Sequence, residues 1–143
     1  MRAVMVPKEG HHWLNERVGY IPTPEMTCIA VISDDNEIMG MTGLDDWTNS
    51  AVQAHIRIED PRCTRLLLRT SFGYCFMHQR NVVIGITPSD LPRAVKFMKG
   101  IGFKELCRIK DGNSLGVDTI ISEVRAETCK WAKPVPVDEE QAA

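Results

Sequence analysis

The stretch from 81 to 109 constrains the fold of this chain more than any other. It opens with a short apolar run, 82–86, whose β-branched residues are typical of a buried strand. Apolar residues then recur at helical spacing between 91 and 101, with basic residues turned outward. A second apolar segment, 103–109, predicts another strand. The pattern therefore indicates a strand–helix–strand unit of a domain that contains both α and β structure.

The ends of the helix in this unit carry recognisable signals. Ser89 or Asp90 is predicted to cap its first turn, which also holds Pro92, a residue favoured at that position. Gly100 and Gly102 are predicted to end it, because glycine readily adopts the left-handed conformation that follows many helices.

A second helix is predicted immediately upstream, from 62 to 79, with Asp60 as N-cap and Pro61 in its first position. It is apolar over most of its circumference and should be largely buried. A preceding strand, 51–58, has alternating polarity. A β-α-β unit is therefore expected, in which strands 51–58 and 82–86 run parallel with a right-handed crossover.

The first part of the chain predicts an antiparallel arrangement. Two apolar strands, 28–32 and 37–44, flank a polar turn at 34–36 and form a β-hairpin. A short first strand is expected at 2–6 and an amphipathic helix at 8–18. Pro22 and Pro24 mark a linker.

These elements resemble the GNAT acyltransferases. The motif K-G-I-G-F-K-E at 99–105 is similar to the family segment in which G-F follows the last helix. A polar hairpin at 108–112 and the segment 118–122 then follow, where the last two strands of the family would pair. The likeness covers roughly 28–124 and is greatest to the short GNAT-like proteins of phage genomes, including the closing Cys-Lys-Trp at 129–131. It implies an α/β (α+β) fold with a mixed, mostly antiparallel sheet and a shortened N-terminal helical region.

Length and composition agree with one such domain. With 143 residues, we expect a single GNAT-like domain at 1–131. A proline-broken acidic tail at 132–143 is expected to be disordered. A net charge of −2 gives no bulk attraction to nucleic acid, and no apolar run approaches a membrane span. Without a signal-peptide pattern at the start, a cytoplasmic location is expected, in the host cytoplasm if the protein is phage-encoded.

Cysteine and histidine spacing does not predict a metal site. The five cysteines are scattered without a C-x-x-C motif and are interpreted as small apolar residues in a reducing compartment. His11 and His12 are adjacent, so on a helix they point apart, and no carboxylate or cysteine has ligand spacing.

The start of the second helix is the predicted anion site. Helix N-termini attract anions, and Arg62, Arg65 and Arg69 are spaced to share one helix face, with Gly73 continuing it. In GNAT proteins this turn binds the pyrophosphate of acetyl-CoA through a glycine-rich loop. The corresponding segment here contains no glycine. The resemblance assigns cofactor binding to Arg62, Cys63, Thr64, Arg65 and Leu66; the alternative is a solvated face paired with Glu59 and Asp60.

The resemblance also places the pantetheine of the carrier between strands 51–58 and 82–86, near Ile56, Arg57 and Ile58, with Asp90 and Arg93 on the following helix. His55 is the candidate general base because its ordinary pKa lies near 6.5. Glu59 is the second candidate, and a purely structural histidine is the alternative. The family's tyrosine acid has no counterpart, since Phe97 is the aromatic residue of that helix. Tyr74 and Cys107 are weak substitutes.

The resemblance implies an acetyl-CoA-dependent N-acyltransferase that acts on an amine, with a protein amine as the expected acceptor. The second hypothesis is a catalytically degenerate GNAT-fold protein that binds and modulates a (host) partner protein. Absent glycines, an absent tyrosine and a short N-terminal region favour the second hypothesis. A nucleic-acid contact by the arginine face is a third, weaker possibility. A monomer or dimer is expected, without nucleic-acid or membrane partners.

Overall fold

A computed structural model describes residues 1–19 and 23–133. The described chain contains seven strands and three α-helices, with 3-10 turns at 8–10, 61–63 and 126–128. The elements, in chain order, are β1 (Arg2–Val6), α1 (His12–Val18), β2 (Thr27–Ile32), β3 (Ile38–Asp45), β4 (Ala51–Ile58), α2 (Thr64–Met77), β5 (Val82–Pro88), α3 (Pro92–Gly100), β6 (Lys104–Ser114) and β7 (Val117–Arg125).

All seven strands form one sheet in the order β1-β2-β3-β4-β5-β7-β6. Every neighbouring pair is antiparallel except β4 and β5, which are parallel and joined through α2. A crossover is required there because parallel strands cannot be joined by a tight hairpin. The predicted mixed sheet with one β-α-β unit is therefore confirmed.

Helices cover the two faces of this sheet unequally. One face packs against α2 and α3 through a large core that includes Leu67, Phe72 and Phe76 of α2. The other face of the N-terminal half packs against α1 through a smaller core around Leu14 and Met41. Alternation along β4 separates the two faces, because Val52 and Ala54 lie in the larger core while His55 lies on the α1 side.

The N-terminal helical region is short, as predicted. Within the described residues, the segment between β1 and β2 contains one α-helix, α1, which follows a 3-10 turn at 8–10. Gly19 ends α1 in the left-handed conformation, with φ of 63°. The segment predicted as one amphipathic helix over 8–18 is therefore a 3-10 turn at 8–10 followed by α1, with His11 between them.

Several predicted boundaries were wrong for local reasons. The N-cap position of α3 is Leu91, not Ser89 or Asp90, and Leu91 makes no side-chain cap. Ser89 instead accepts a hydrogen bond from the Asp118 backbone N–H at 2.8 Å. β5 extends two residues beyond the predicted strand 82–86, to Pro88, which pairs with Thr119. β6 extends to Ser114, beyond the predicted end of the strand at 109.

Two further predictions concern the end and the surroundings of the chain. Residues 134–143, most of the tail predicted to be disordered, lie outside the described part, as do residues 20–22 of the predicted linker. No helix within 1–19 and 23–133 is long and apolar enough to cross a membrane.

Candidate active site

The site is organised by the divergence of the two parallel strands. β4 and β5 pair only over three positions, from Ala51 with Val82 to Gln53 with Ile84. β4 nevertheless continues to Ile58, and its opposite edge stays paired with β3 along that length. From Ala54 onward, the edge of β4 that faces β5 therefore has no paired strand among the described residues. An opening results between the C-terminal halves of β4 and β5.

His55 lies on β4 just beyond this point of divergence and is bonded to a buried carboxylate. Its Nε2 lies 3.3 Å from Oδ1 of Asp45, the last residue of β3. The side chain of Asp45 is 2% exposed and that of His55 is 13% exposed. With Nε2–H donating to Asp45, Nδ1 is the ring's acceptor nitrogen. A buried carboxylate that orients an imidazole in this way is the arrangement in which histidine serves as a base.

Burial disfavours the charged form of both members of the pair. Burial is the largest influence on the His55 pKa and lowers it from 6.5, while the charge of Asp45 opposes this by raising it. Burial also raises the pKa of Asp45, with His55 acting in the opposite direction. At neutral pH the imidazole is therefore unprotonated and able to accept a proton.

Glu59, the second candidate base, is bound to two arginines. Its Oε1 accepts hydrogen bonds from Nε of Arg17 at 2.9 Å and from Nε of Arg57 at 3.4 Å. The hydrogen bond from Arg17 is the main reason that the pKa of Glu59 lies below its usual value. A carboxylate stabilised in its charged form is a weak base, so the structure favours His55 over Glu59 for this role.

Two predicted cofactor residues, Arg57 and Arg93, line the same depression. Arg57 of β4 lines a depression of about 340 Å³ together with Leu91, Pro92, Arg93 and Ala94 at the start of α3. Asp90 is exposed one residue before the N-cap of α3. The side chains of Ile56 and Ile58 pack on the core of the α2 face. Their backbone lies on the open edge of β4.

The backbone N–H groups of residues 62–64, in the turn that leads into α2, already donate hydrogen bonds within the chain. Asp60 accepts a hydrogen bond from the Arg62 backbone N–H at 3.0 Å. The backbone N–H groups of Cys63 and Thr64 donate to the carbonyls of Asp60 and Pro61, and Pro61 has no N–H. The N–H groups that would bind a pyrophosphate are thus largely engaged, and the Asp60 carboxylate repels an anion at this position.

The predicted arginine face is divided in two. The Arg62 guanidinium binds the Asp60 carboxylate, with the shortest of three contacts at 2.6 Å, and lines a depression near Met1 and Ser33. Arg65 and Arg69 line a different depression. The prediction that all three arginines act on one face was wrong because residues 61–63 form a 3-10 turn in which Arg62 pairs with Asp60. Of the remaining loop residues, Cys63 is buried, Thr64 bonds the carbonyl of Pro61, and Leu66 packs on the core.

The weak candidates for the acid lie elsewhere. Tyr74 packs against His78 and Trp47, with ring centroids 4.4 and 6.2 Å away, on the α2 side of the sheet. His55 is on the opposite face. Cys107 is exposed on β6. In the described part of the chain, no group of three or more histidine, cysteine or acidic residues could hold a metal ion.

Asp45 was not identified from the sequence. It follows an apolar strand at a position that reads as the beginning of a polar loop, and its partner is ten residues away on the neighbouring strand. The only available signal was alternation: a hairpin that ends with Asp45 opposite Gln53 puts both residues on the His55 face.

The fold is shared with known acetyltransferases. The spermidine N-acetyltransferase SpeG of Vibrio cholerae (F149G mutant) has a TM-score of 0.72 at 12% identity, with 87% of this chain and 92% of that chain covered. A putative acetyltransferase of the GNAT family from Desulfovibrio desulfuricans has a TM-score of 0.69 at 15% identity, with 87% and 98% covered. No protein-family model and no curated sequence matches the chain. The chain therefore has the fold of the GNAT acetyltransferases.

Proposed function

We propose that this protein is an N-acyltransferase that transfers the acetyl group of acetyl-CoA to an amine, with a protein amine as the expected acceptor. The observation that carries the proposal is the position of His55. It is bonded to buried Asp45 and lies just past the point where β4 and β5 separate. Known proteins with this fold include acetyltransferases that act on spermidine, which is also an amine.

The residues around the opening fit the carrier in part. The open β4 edge beyond Ala54 offers backbone N–H and C=O groups to an extended, amide-containing chain. Arg57 and Arg93 supply positive charge on the two sides of the opening. The turn before α2 fits a pyrophosphate poorly, because the Asp60 carboxylate already accepts the Arg62 backbone N–H there. We infer that phosphate binding by this protein depends on arginine side chains more than on helix N–H groups.

In the proposed reaction, acetyl-CoA supplies an activated thioester carbonyl. His55 accepts the proton that the acceptor amine loses as its nitrogen bonds to that carbonyl. The C–S bond of the thioester then breaks, and coenzyme A leaves as a thiolate that takes up a proton from the His55 imidazolium or from solvent. Asp45 holds the imidazole in one orientation and stabilises the imidazolium that results. Burial of the pair disfavours the charged imidazole, which keeps His55 unprotonated before the acceptor binds.

Substitution of His55 by glutamine tests this role. Glutamine retains a hydrogen-bonding end but cannot act as a base near neutral pH. We expect acetyl transfer to decrease by about 10²- to 10⁴-fold, the usual effect of a positioned base, with acetyl-CoA affinity unchanged. The assay should use spermidine and lysine-containing peptides as the amine acceptors. Equal turnover in the variant would contradict the assignment of His55.

A specific observation favours the alternative, a GNAT-fold protein that binds a partner. An apolar surface lies on the face of the sheet opposite α3. Ile86, Ile121 and Cys107 lie side by side there on β5, β7 and β6, and Ile109 lies two residues further along β6. Ile86 and Ile109 are 46% and 49% exposed. Contiguous apolar surface of this kind is typical of protein contacts. Acetyl-CoA binding separates the two functions, since only the transferase requires it.

A further inference from the structure

The outer face of α2 contains a cationic depression that shares no lining residue with the depression beside Arg57 and Arg93. It has a volume of about 460 Å³ and is lined by Arg65, Arg69, Lys130 and Trp131. Three of its four lining residues are positively charged, and none is acidic. The chain as a whole has a net charge of −2, so this concentration of positive charge is local.

The two arginines differ from most others in the described chain because no carboxylate neutralises them. Arg17, Arg57, Arg62, Arg108 and Arg125 each form an ion pair. Within 1–19 and 23–133, Arg65 and Arg69 form none, although they lie four residues apart on one helix. Like charges at this spacing destabilise a helix. A bound anion would remove that repulsion.

The wall opposite the arginines is held in place by backbone contacts. Lys130 donates from Nζ to the carbonyl of Gly100 at 3.1 Å and lies over the Trp131 ring, 5.1 Å from its centroid. Trp131 donates from Nε1 to the carbonyl of Ile101 at 2.7 Å, and its ring packs against the core. Lysine and tryptophan are therefore positioned before any ligand arrives, which reduces the entropy lost on binding.

We propose that this depression is a binding site for a phosphate monoester carried on a small planar molecule, such as a nucleotide. Two guanidinium groups suit the several oxygens of a dianionic phosphate, and Lys130 adds a third positive charge. Trp131 provides an aromatic wall beside them, and the volume is in the range of small-molecule sites. The site stands independently of the proposed acyl transfer.

Calorimetric titration of the whole protein with adenosine 3′,5′-bisphosphate tests the proposal. We expect measurable binding that weakens at least tenfold in Arg69→Gln and that inorganic phosphate displaces. Lys96→Gln is the matched control, because it removes one exposed positive charge from α3 outside the depression. Its affinity should equal that of the wild type. Thermal melting of both variants confirms that they are folded.

A second titration asks whether the phosphate in the depression belongs to the acyl carrier or to a separate nucleotide. It compares coenzyme A with 3′-dephospho-coenzyme A. If the 3′-phosphate strengthens binding in the wild type but not in Arg69→Gln, the depression belongs to the acyl-carrier site, and the proposal of a separate nucleotide site is overturned. If coenzyme A and the bisphosphate bind together, the site takes a separate nucleotide. The proposal is overturned if millimolar bisphosphate does not bind the wild type, or if Lys96→Gln weakens binding as much as Arg69→Gln.

Discussion

Replacement of Asp45 by asparagine changes the charge beside His55 while it preserves shape and a hydrogen-bond acceptor. Asp45 is the buried partner of the imidazole, at 3.3 Å from Nε2. Its charge raises the pKa of His55 against the effect of burial. In Asp45→Asn, the pKa of His55 should therefore decrease further. The acid limb of the pH profile of kcat/KM should move to lower pH than in the wild type.

The effect of Asp45 substitutions on stability follows from the burial of the Asp45–His55 pair. Asparagine still accepts from Nε2, so the free energy of unfolding should change by less than about 1 kcal/mol. Alanine removes the acceptor at a site where the partner side chain is 13% exposed. An unsatisfied buried N–H costs about 1–3 kcal/mol, which corresponds to a decrease in Tm of roughly 3–9 °C for a domain of this size.

The pH dependence of stability has a defined sign. Because the pKa of His55 is lowered from 6.5 on folding, its contribution is complete above pH 6.5 and is lost as pH decreases through the folded pKa. Asp45→Asn should lose more stability than the wild type between pH 7.5 and pH 5. Differential scanning calorimetry at both pH values measures this. An unchanged pH–rate profile together with an unchanged pH–stability profile would refute the coupling of Asp45 to His55.

Two glycines of the scaffold give opposite predictions. Gly73→Ala in α2 should raise the free energy of unfolding by roughly 0.8–1 kcal/mol, because a Cβ there meets nothing within 4 Å and alanine is the better helix former; thermal melting measures the increase, and a decrease would show that the position is not open. Gly40→Ala in β3 should destabilise by about 1–3 kcal/mol, because its Cβ would lie 2.8 Å from Sγ of Cys63 and 3.1 Å from the carbonyl oxygen of Arg57. Urea unfolding checks the second prediction, and an unchanged midpoint would contradict it.

The order of elements could be predicted from the sequence because each one carried a local signal. Alternation identified 51–58, and the Asn36 turn, with φ of 62°, lies where the sequence predicted the hairpin. Asp60 and Pro61 marked the start of the 3-10 turn that leads into α2, whereas α2 itself begins at Thr64. The start of α3 was misassigned because Ser89, a good cap by composition, is held by Asp118, which is 29 residues away in sequence. Contacts of that range leave no local pattern.

The site was predicted less completely than the fold. His55 was proposed from the sequence because it lies on the strand beside the expected carrier and its ordinary pKa is near 6.5. Alternation along β4 places it on the same face as Gln53 and Arg57. Asp45 was missed because its role depends on the register of two strands. The separation of Arg62 from Arg65 and Arg69 depends on an ion pair and a 3-10 turn. Helical spacing assumed a regular helix from Arg62 onward and could not predict that separation.

Thermal melting with and without acetyl-CoA tests the central proposal most directly. At about 100 times its dissociation constant, a ligand of the native state adds about 2.7 kcal/mol of stability, equivalent to roughly 5–10 °C in Tm for this size. Arg93→Glu, in the depression that Arg57 and the start of α3 line, should remove this shift while the Tm of the ligand-free protein stays nearly unchanged. A wild-type protein that shows no shift with millimolar acetyl-CoA would contradict the transferase and leave the partner-binding function.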